Sequence, residues 1–160
     1  MQKERKVTEE GKIIVFDRDV EVSELNSLLT KEFNGDVIIN GKLLVNEDFH
    51  AKYNLHVMKD IFCTPDQDFT VKGDLYCYNE IAGYNILVEG CFYCEGIISA
   101  DNIKVTESFW CKNRIEAYGG NITVLGDFAC QGIKAKSVET YGQTYMGGYI
   151  SVRSFIKYGY

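Results

Sequence analysis

One pattern constrains this chain more than any other: from Phe69 onward the same short phrase returns about every 17 residues. It runs Phe69-Thr-Val71-Lys-Gly73, Ile86-Leu-Val88-Glu-Gly90, Ile103-Lys-Val105-Thr-Glu107, Ile122-Thr-Val124-Leu-Gly126 and Val138-Glu-Thr140-Tyr-Gly142, with a last start at Phe155. The steps between starts are 17, 17, 19, 16 and 17 residues. Reading backwards, Val37-Ile-Ile39-Asn-Gly41 and Leu55-His-Val57 fit the same opening, the second line being shortened near Pro65, so about seven lines cover residues 37–160. Such a period marks a solenoid, because no single repeat can bury its own apolar face and each is stabilised by its neighbours.

Within each line the apolar residues alternate, as they do along strands with one buried face. Six places after the start stand Leu75, Phe92, Phe109 and Phe128. Two places further come Cys77, Cys94, Cys111 and Cys130, with Met146 in the next line and Cys63 in an earlier one. A third strand follows at Ile81, Ile98, Ile115, Ile133 and Ile150, with Gly83, Ala100, Ala117, Ala135 and Val152 at its second inward place. Three strands and three corners per line predict an all-β fold: a parallel β-solenoid of about seven coils and roughly triangular section. Gly73, Gly90, Gly126 and Gly142 fall at one corner, where positive φ is expected. Asn54, Asn85, Asn102 and Asn121 fall at another, and Asn tolerates the left-handed region. At ~4.8 Å per coil the rod is about 34 Å long, with Phe92, Phe109 and Phe128 stacked in its core.

Residues 12–35 break the pattern. Lys12 to Phe16 reads as a strand, and Ser23 is placed to N-cap a short helix whose apolar stripe is Leu25, Leu28, Leu29 and Phe33, stopped by Asn34-Gly35. A solenoid leaves the strand edges and core of its first coil open, so the helix is expected to cap that end. The chain thus divides into residues 1–36, strand and capping helix, and 37–160, the solenoid, forming one structural domain.

Composition narrows the function classes. A formal charge of −6 argues against a surface built for phosphate backbones, which draws on clustered Lys and Arg. Met1 to Lys6 is charged and followed by no apolar stretch, and no run approaches the ~20 apolar residues of a membrane span. A cytoplasmic protein, without membrane span or direct nucleic-acid contact, is the expectation.

The residue types that carry chemistry point to no reaction. Cys63, Cys77, Cys94, Cys111 and Cys130 share one inward column and read as a reduced core ladder, free Cys behaving as a small apolar residue. The one close pair, Cys91 and Cys94, points to opposite faces by parity, which does not suit a zinc site. His50 and His56 fall at outward positions beside no nucleophile. Neither a serine-hydrolase elbow, nor a phosphate loop, nor a dinucleotide fingerprint occurs. No enzymatic activity, cofactor or metal is expected.

One outward column stands apart. Between the Phe and Cys columns it reads Phe62, Tyr76, Tyr93, Trp110, Ala129 and Tyr145, an aromatic stripe some 25 Å long at ~4.8 Å per coil. Contiguous exposed aromatics mark interaction sites, where Tyr and Trp concentrate binding energy. The competing explanation is that aromatic ladders stabilise a sheet without any partner.

The lines Phe69–Asn85, Ile86–Asn102 and Ile122–Ser137 resemble bactofilins, bacterial polymer-forming cytoskeletal proteins. Ile122-Thr-Val-Leu-Gly-Asp-Phe-Ala-Cys-Gln-Gly-Ile-Lys-Ala is similar to one of their coils in its β-residue pair, Gly-Asp corner and short I-x-A strand. The resemblance, spanning residues 37–155, implies a right-handed β-helix and a non-enzymatic scaffold that assembles end to end without nucleotide. A helix plugging the N-terminal end alters that expectation: the C-terminal coil around Phe155 and Tyr158 then pairs only with itself, giving a closed dimer where open ends give a filament. The leading expectation is therefore a scaffold that self-associates through the stripe or the C-terminal coil. The alternative, from another class, is a small acidic binding protein, phage- or mobile-element-encoded, that blocks a larger target such as a nucleic-acid-binding enzyme.

Overall fold

The computed structural model describes residues 4–6, 12–30 and 32–158. They form a single parallel sheet wound into a solenoid with three sides. Strand β1 (Glu4–Lys6) lies outside the winding. The first coil is β2 (Ile13–Phe16), β3 (Val20–Glu21) and, in place of a third strand, helix α1 (Val22–Leu28). The second is β4 (Asp36–Ile39), β5 (Leu43–Val45) and β6 (Phe49–Ala51); the third is β7 (Asn54–Val57), β8 (Ile61–Cys63) and β9 (Asp68–Val71). The fourth holds β10 (Leu75–Cys77), β11 (Ile81–Ala82) and β12 (Asn85–Val88), and the fifth β13 (Phe92–Cys94), β14 (Ile98–Ser99) and β15 (Asn102–Val105). In the sixth and seventh coils one bent strand runs round all three sides, β16 (Phe109–Val124) and then β17 (Phe128–Thr140). The eighth is β18 (Thr144–Met146) with β19 (Ile150–Lys157). Seven three-sided coils thus stand on a first coil closed by the helix.

Register confirms the columns from Leu75 upward. Leu75, Phe92, Phe109 and Phe128 stack in line, as do Cys77, Cys94, Cys111 and Cys130. The Phe92 and Phe109 rings lie parallel with centroids 4.6 Å apart, and all three phenylalanines of the stack are buried.

Below Leu75 the register differs from the expectation by one side of the triangle. Leu55 and Val57 pair with Leu75 and Cys77, so they lie on the first side and not beneath Phe69. Val37 and Ile39 are carried with them. Phe49-His-Ala51 lies beneath Phe69-Thr-Val71. Phe62 and Cys63 therefore belong to the second side, where Phe62 stands next to Ala82 and Leu44. The cysteine column has four members, continued below by Val57 and Ile39. The physical reason is that all three sides share the same alternation, and the coil from Phe49 is lengthened by Thr64-Pro-Asp66-Gln67. Asp66 there takes a positive φ of 66°.

The corners are also built differently. Of the described glycines only Gly148 has a positive φ. Gly142 is required instead by close approach: a Cβ there would sit 2.5 Å from the Gly126 carbonyl oxygen, which accepts the Gly142 N–H at 3.1 Å. The asparagines avoid the left-handed region and form a side-chain ladder. Asn102 donates to Asn85 at 2.9 Å, and Ser137 donates to Asn121 at 2.6 Å. Asn54 belongs to a different corner, between the third and first sides, where its amide donates to Asp36 and its side-chain oxygen accepts the Asp74 N–H.

At the N-terminal end β2 and β3 lie parallel to β4 and β5, so the stack takes in residues below 37. The helix begins two residues earlier than Ser23 suggests. Glu21 is its N-cap, in a capping box with Glu24, and Ser23 lies inside the helix. Val22 and Leu25 are buried in the core, Leu29 and Phe33 pack on it, and Leu28 is exposed. β1 runs antiparallel along β2 and covers its outer edge. The helix does cap this end.

Candidate interaction surfaces

The first side carries the aromatic column. Tyr76, Tyr93, Trp110, Ala129 and Tyr145 are successive partners. Phe62 is absent from it, and the column continues downward through His56, Ile38 and Val15. Parity turns these residues outward, since their neighbours Leu75, Cys77, Phe92 and Cys94 fill the core.

Ring geometry limits what the column can bind. His56 and Tyr76 are stacked at 4.6 Å, with ring planes 10° apart, and Tyr76 and Tyr93 are tilted at 6.4 Å. Only the His56–Tyr76 pair is stacked face to face, so one face of each of these two rings is taken by the other. Tyr93 also has Tyr78 against its edge at 6.2 Å and the Lys112 ammonium 5.8 Å from its centroid. Burial in this stack holds the His56 imidazole below its usual value, against the opposing fields of Asp36 and Asp74. Trp110, 41% exposed, and Tyr145, 62% exposed, are the members left open to a partner.

The second surface is the terminal coil. Among the described residues β18 and β19 pair with β17 alone. Phe155 continues the buried column through Val138, and Ile150 continues the one through Ile133. Val138 and Ile133 are 0% and 1% exposed, whereas Phe155 and Ile150 are 44% and 48% exposed. Tyr149 is exposed beside Ile150, and Ile156, between two inward residues, is exposed on the outer face of the coil. Tyr158 stands at its corner, stacked on Tyr141 with centroids 4.5 Å apart. Lys157 occupies the inward column above Thr140 and donates to the Gly142 carbonyl at 3.1 Å.

The cysteine column does more than fill space. The thiol of each coil faces a corner carbonyl of the coil below: Cys77 donates to Lys59 at 3.4 Å, Cys94 to Asn79 at 3.3 Å and Cys111 to Gly96 at 3.5 Å. The Asn79 carbonyl also accepts the Gly96 N–H at 3.1 Å, so there the thiol is a second, weak donor. All six cysteines are thiols. Contact with Cys111 and Cys77, together with burial, pushes the Cys94 thiol far up, and burial pushes Cys130 and Cys63 up to about 12. Such thiols stay protonated at neutral pH and are poor nucleophiles and ligands.

Sequence reasoning missed one convergence. Asp74, Cys91 and Glu107, from the same corner of three successive coils, bring their ligand-type atoms within 4.8 Å of one another. Spacings of 17 and 16 residues resemble no metal motif, and only stacking brings the three together. One Asp74 oxygen is committed to the Cys91 backbone N–H at 2.8 Å, which gives that carboxylate a structural role at the corner.

Comparison with family models, curated proteins and solved structures finds no match to this chain, and nothing in it ties the chain to bactofilins in particular. Among the described residues no helix is long and apolar enough to cross a membrane. What the structure does establish is a β-solenoid, a fold consistent with structural or self-associating roles.

Proposed function

We propose that this chain is a non-enzymatic structural protein that self-associates by joining the C-terminal coils of two copies. The reading rests on one observation: Ile150 and Phe155 are about half exposed in columns whose preceding members are completely buried. Unpaired strand edges and an exposed core together favour the addition of another layer. A second copy offers the same two features, and a two-fold axis across the seam makes the contact self-complementary. At the opposite end β1 and α1 occupy the place a head-to-tail partner needs, so association stops at two copies. In this it departs from the filament that likeness to bactofilins implies, while keeping their nucleotide-free, non-catalytic character.

The test is sedimentation of the chain and of an Ile150→Lys, Phe155→Lys variant across the micromolar to millimolar range. The wild type should pass from monomer to dimer, and the variant should remain monomeric with an unchanged far-UV spectrum. A wild type that never dimerises, or a variant that dimerises equally well, overturns the proposal.

A further inference from the structure

The second side of the solenoid carries a groove of about 740 Å³, and Phe62 stands in it. Its floor is the outward column of that side: Leu44, Phe62, Ala82 and Ser99. Phe62 is 53% exposed, among the most exposed large apolar side chains of the described residues. The side chains shrink from Phe62 to Ala82 and Ser99, which leaves a trough along the solenoid axis. From Glu21 to Ser99 the outward positions cover four coil steps, about 19 Å at ~4.8 Å each. That is the length of roughly six extended residues at ~3.3 Å each.

The rim is acidic. Asp19, Glu21, Glu24, Asp60 and Glu80 line the groove against only two cations, Arg18 and Lys42. Arg18 is engaged with Glu24 at 2.9 Å. Asp60 and Glu80 sit at the same corner in successive coils, joined by the Glu80 N–H donating to an Asp60 oxygen at 3.1 Å. Each lies two residues before a floor residue, Phe62 and Ala82 respectively, and lines the same groove. A guanidinium can pair with carboxylates of this rim while it stacks on an aromatic ring.

From the apolar floor, acidic rim and length we infer that the groove binds an extended polypeptide segment bearing arginines among apolar residues. The aromatic column of the first side is not equivalent, because no acidic rim of this kind lines a groove along it among the described residues. The inference goes beyond self-association and stands without it, since the groove begins at the N-terminal coil, away from Ile150 and Phe155.

The experiment is a titration of the full chain with a labelled octapeptide of alternating arginine and leucine, read by fluorescence anisotropy and amide chemical shifts. Saturable binding is expected, with shifts confined to residues around Phe62, Ala82 and Ser99. Glu80→Lys should weaken it tenfold or more, Phe62→Ser should weaken it measurably, and a glutamate–leucine octapeptide should not bind. Glu107→Lys, an exposed acid on another corner, controls for overall charge and should bind as the wild type does. The Ile150→Lys, Phe155→Lys variant should also bind unchanged, which keeps this outcome separate from that of self-association. Absent saturation, equal losses in Glu80→Lys and Glu107→Lys, or shifts centred on Tyr76 and Trp110 would overturn it.

Discussion

The two ends of this solenoid solve the same problem in opposite ways. A stack of coils always leaves a first and a last layer with unpaired strand edges and a raw core. At the N-terminal end β1 covers the edge of β2, and α1 lays Val22 and Leu25 over the core until both are buried. At the C-terminal end the last layer is another ordinary coil, and Ile150 and Phe155 stay about half exposed in columns that are dry one step below. The difference is one of chemistry and not of degree. One end is finished by a helix, which pairs its own backbone groups, and the other by strands, which need a neighbour. Lys157, set into an inward column of that last coil, blunts one of its three sides, as edge charges do elsewhere.

That contrast can be broken most severely at the helix. Leu25→Ala removes a side chain that is 1% exposed, and should cost about 2–5 kcal/mol of stability in urea unfolding. A loss within experimental error would mean that the helix does not seal the core. Next comes Glu24→Ala, which removes half of the capping box and the ion pair to Arg18. It should cost about 1 kcal/mol, the usual value of an N-terminal cap, measured by the same denaturation. Phe155→Ala, by contrast, should lower the unfolding free energy of the dilute monomer by only about 1–2 kcal/mol, since about half of the side chain is already in water. If it costs as much as Leu25→Ala, the two ends are equivalent and the comparison fails.

Much of this architecture was legible in the sequence, and the part that was not has a definite cause. The period, the Phe92–Phe109–Phe128 stack, the cysteine ladder from Cys77 to Cys130 and the presence of a capping helix follow from alternation and spacing alone. The phase below Leu75 did not, because Val37-Ile-Ile39-Asn-Gly41 and Phe69-Thr-Val71-Lys-Gly73 share a grammar while lying on different sides. Only pairing distinguishes the sides. Thr64-Pro-Asp66-Gln67 lengthens one coil without leaving a mark on the alternation. The same slip placed Phe62 in the aromatic column, when it stands in the acidic groove of the second side. The apolar C-terminal end was legible as Phe155 and Tyr158. Ile150 stands in a column that is buried one coil below, whereas the Tyr158 ring is turned onto Tyr141 at the corner.

A smaller effect sharpens the contrast through the thiols. Fraying from an open end reaches Cys130, one coil below the last, before Cys77 or Cys94. Labelling of the native protein should therefore modify half-buried Cys91 first, Cys130 next and the inner thiols last, followed by mass spectrometry of the modified peptides. Labelling Cys94 ahead of Cys130 would contradict the order of the two ends. The same thiols set a pH limit. Burial raises Cys63 and Cys130 from an ordinary value near 9 to about 12, so the stability they carry is complete below pH 9. It is lost as pH rises from 9 towards 12, where the unfolded chain ionises and the folded one does not. A denaturant midpoint that is flat from pH 7 to 9 and falls above it is expected; a midpoint that rises above pH 9 would reverse the sign.

The most direct measurement of the central claim is the length of the associated particle by small-angle scattering, with its mass measured on the same sample. Eight layers at ~4.8 Å give about 38 Å for one solenoid, so two copies joined through their C-terminal coils should reach about 75 Å at twice the monomer mass. A dimer no longer than one copy would place the contact on a side of the solenoid, and a particle that lengthens with concentration would mean that the helix leaves the N-terminal end open. Either result would contradict closure through Ile150 and Phe155.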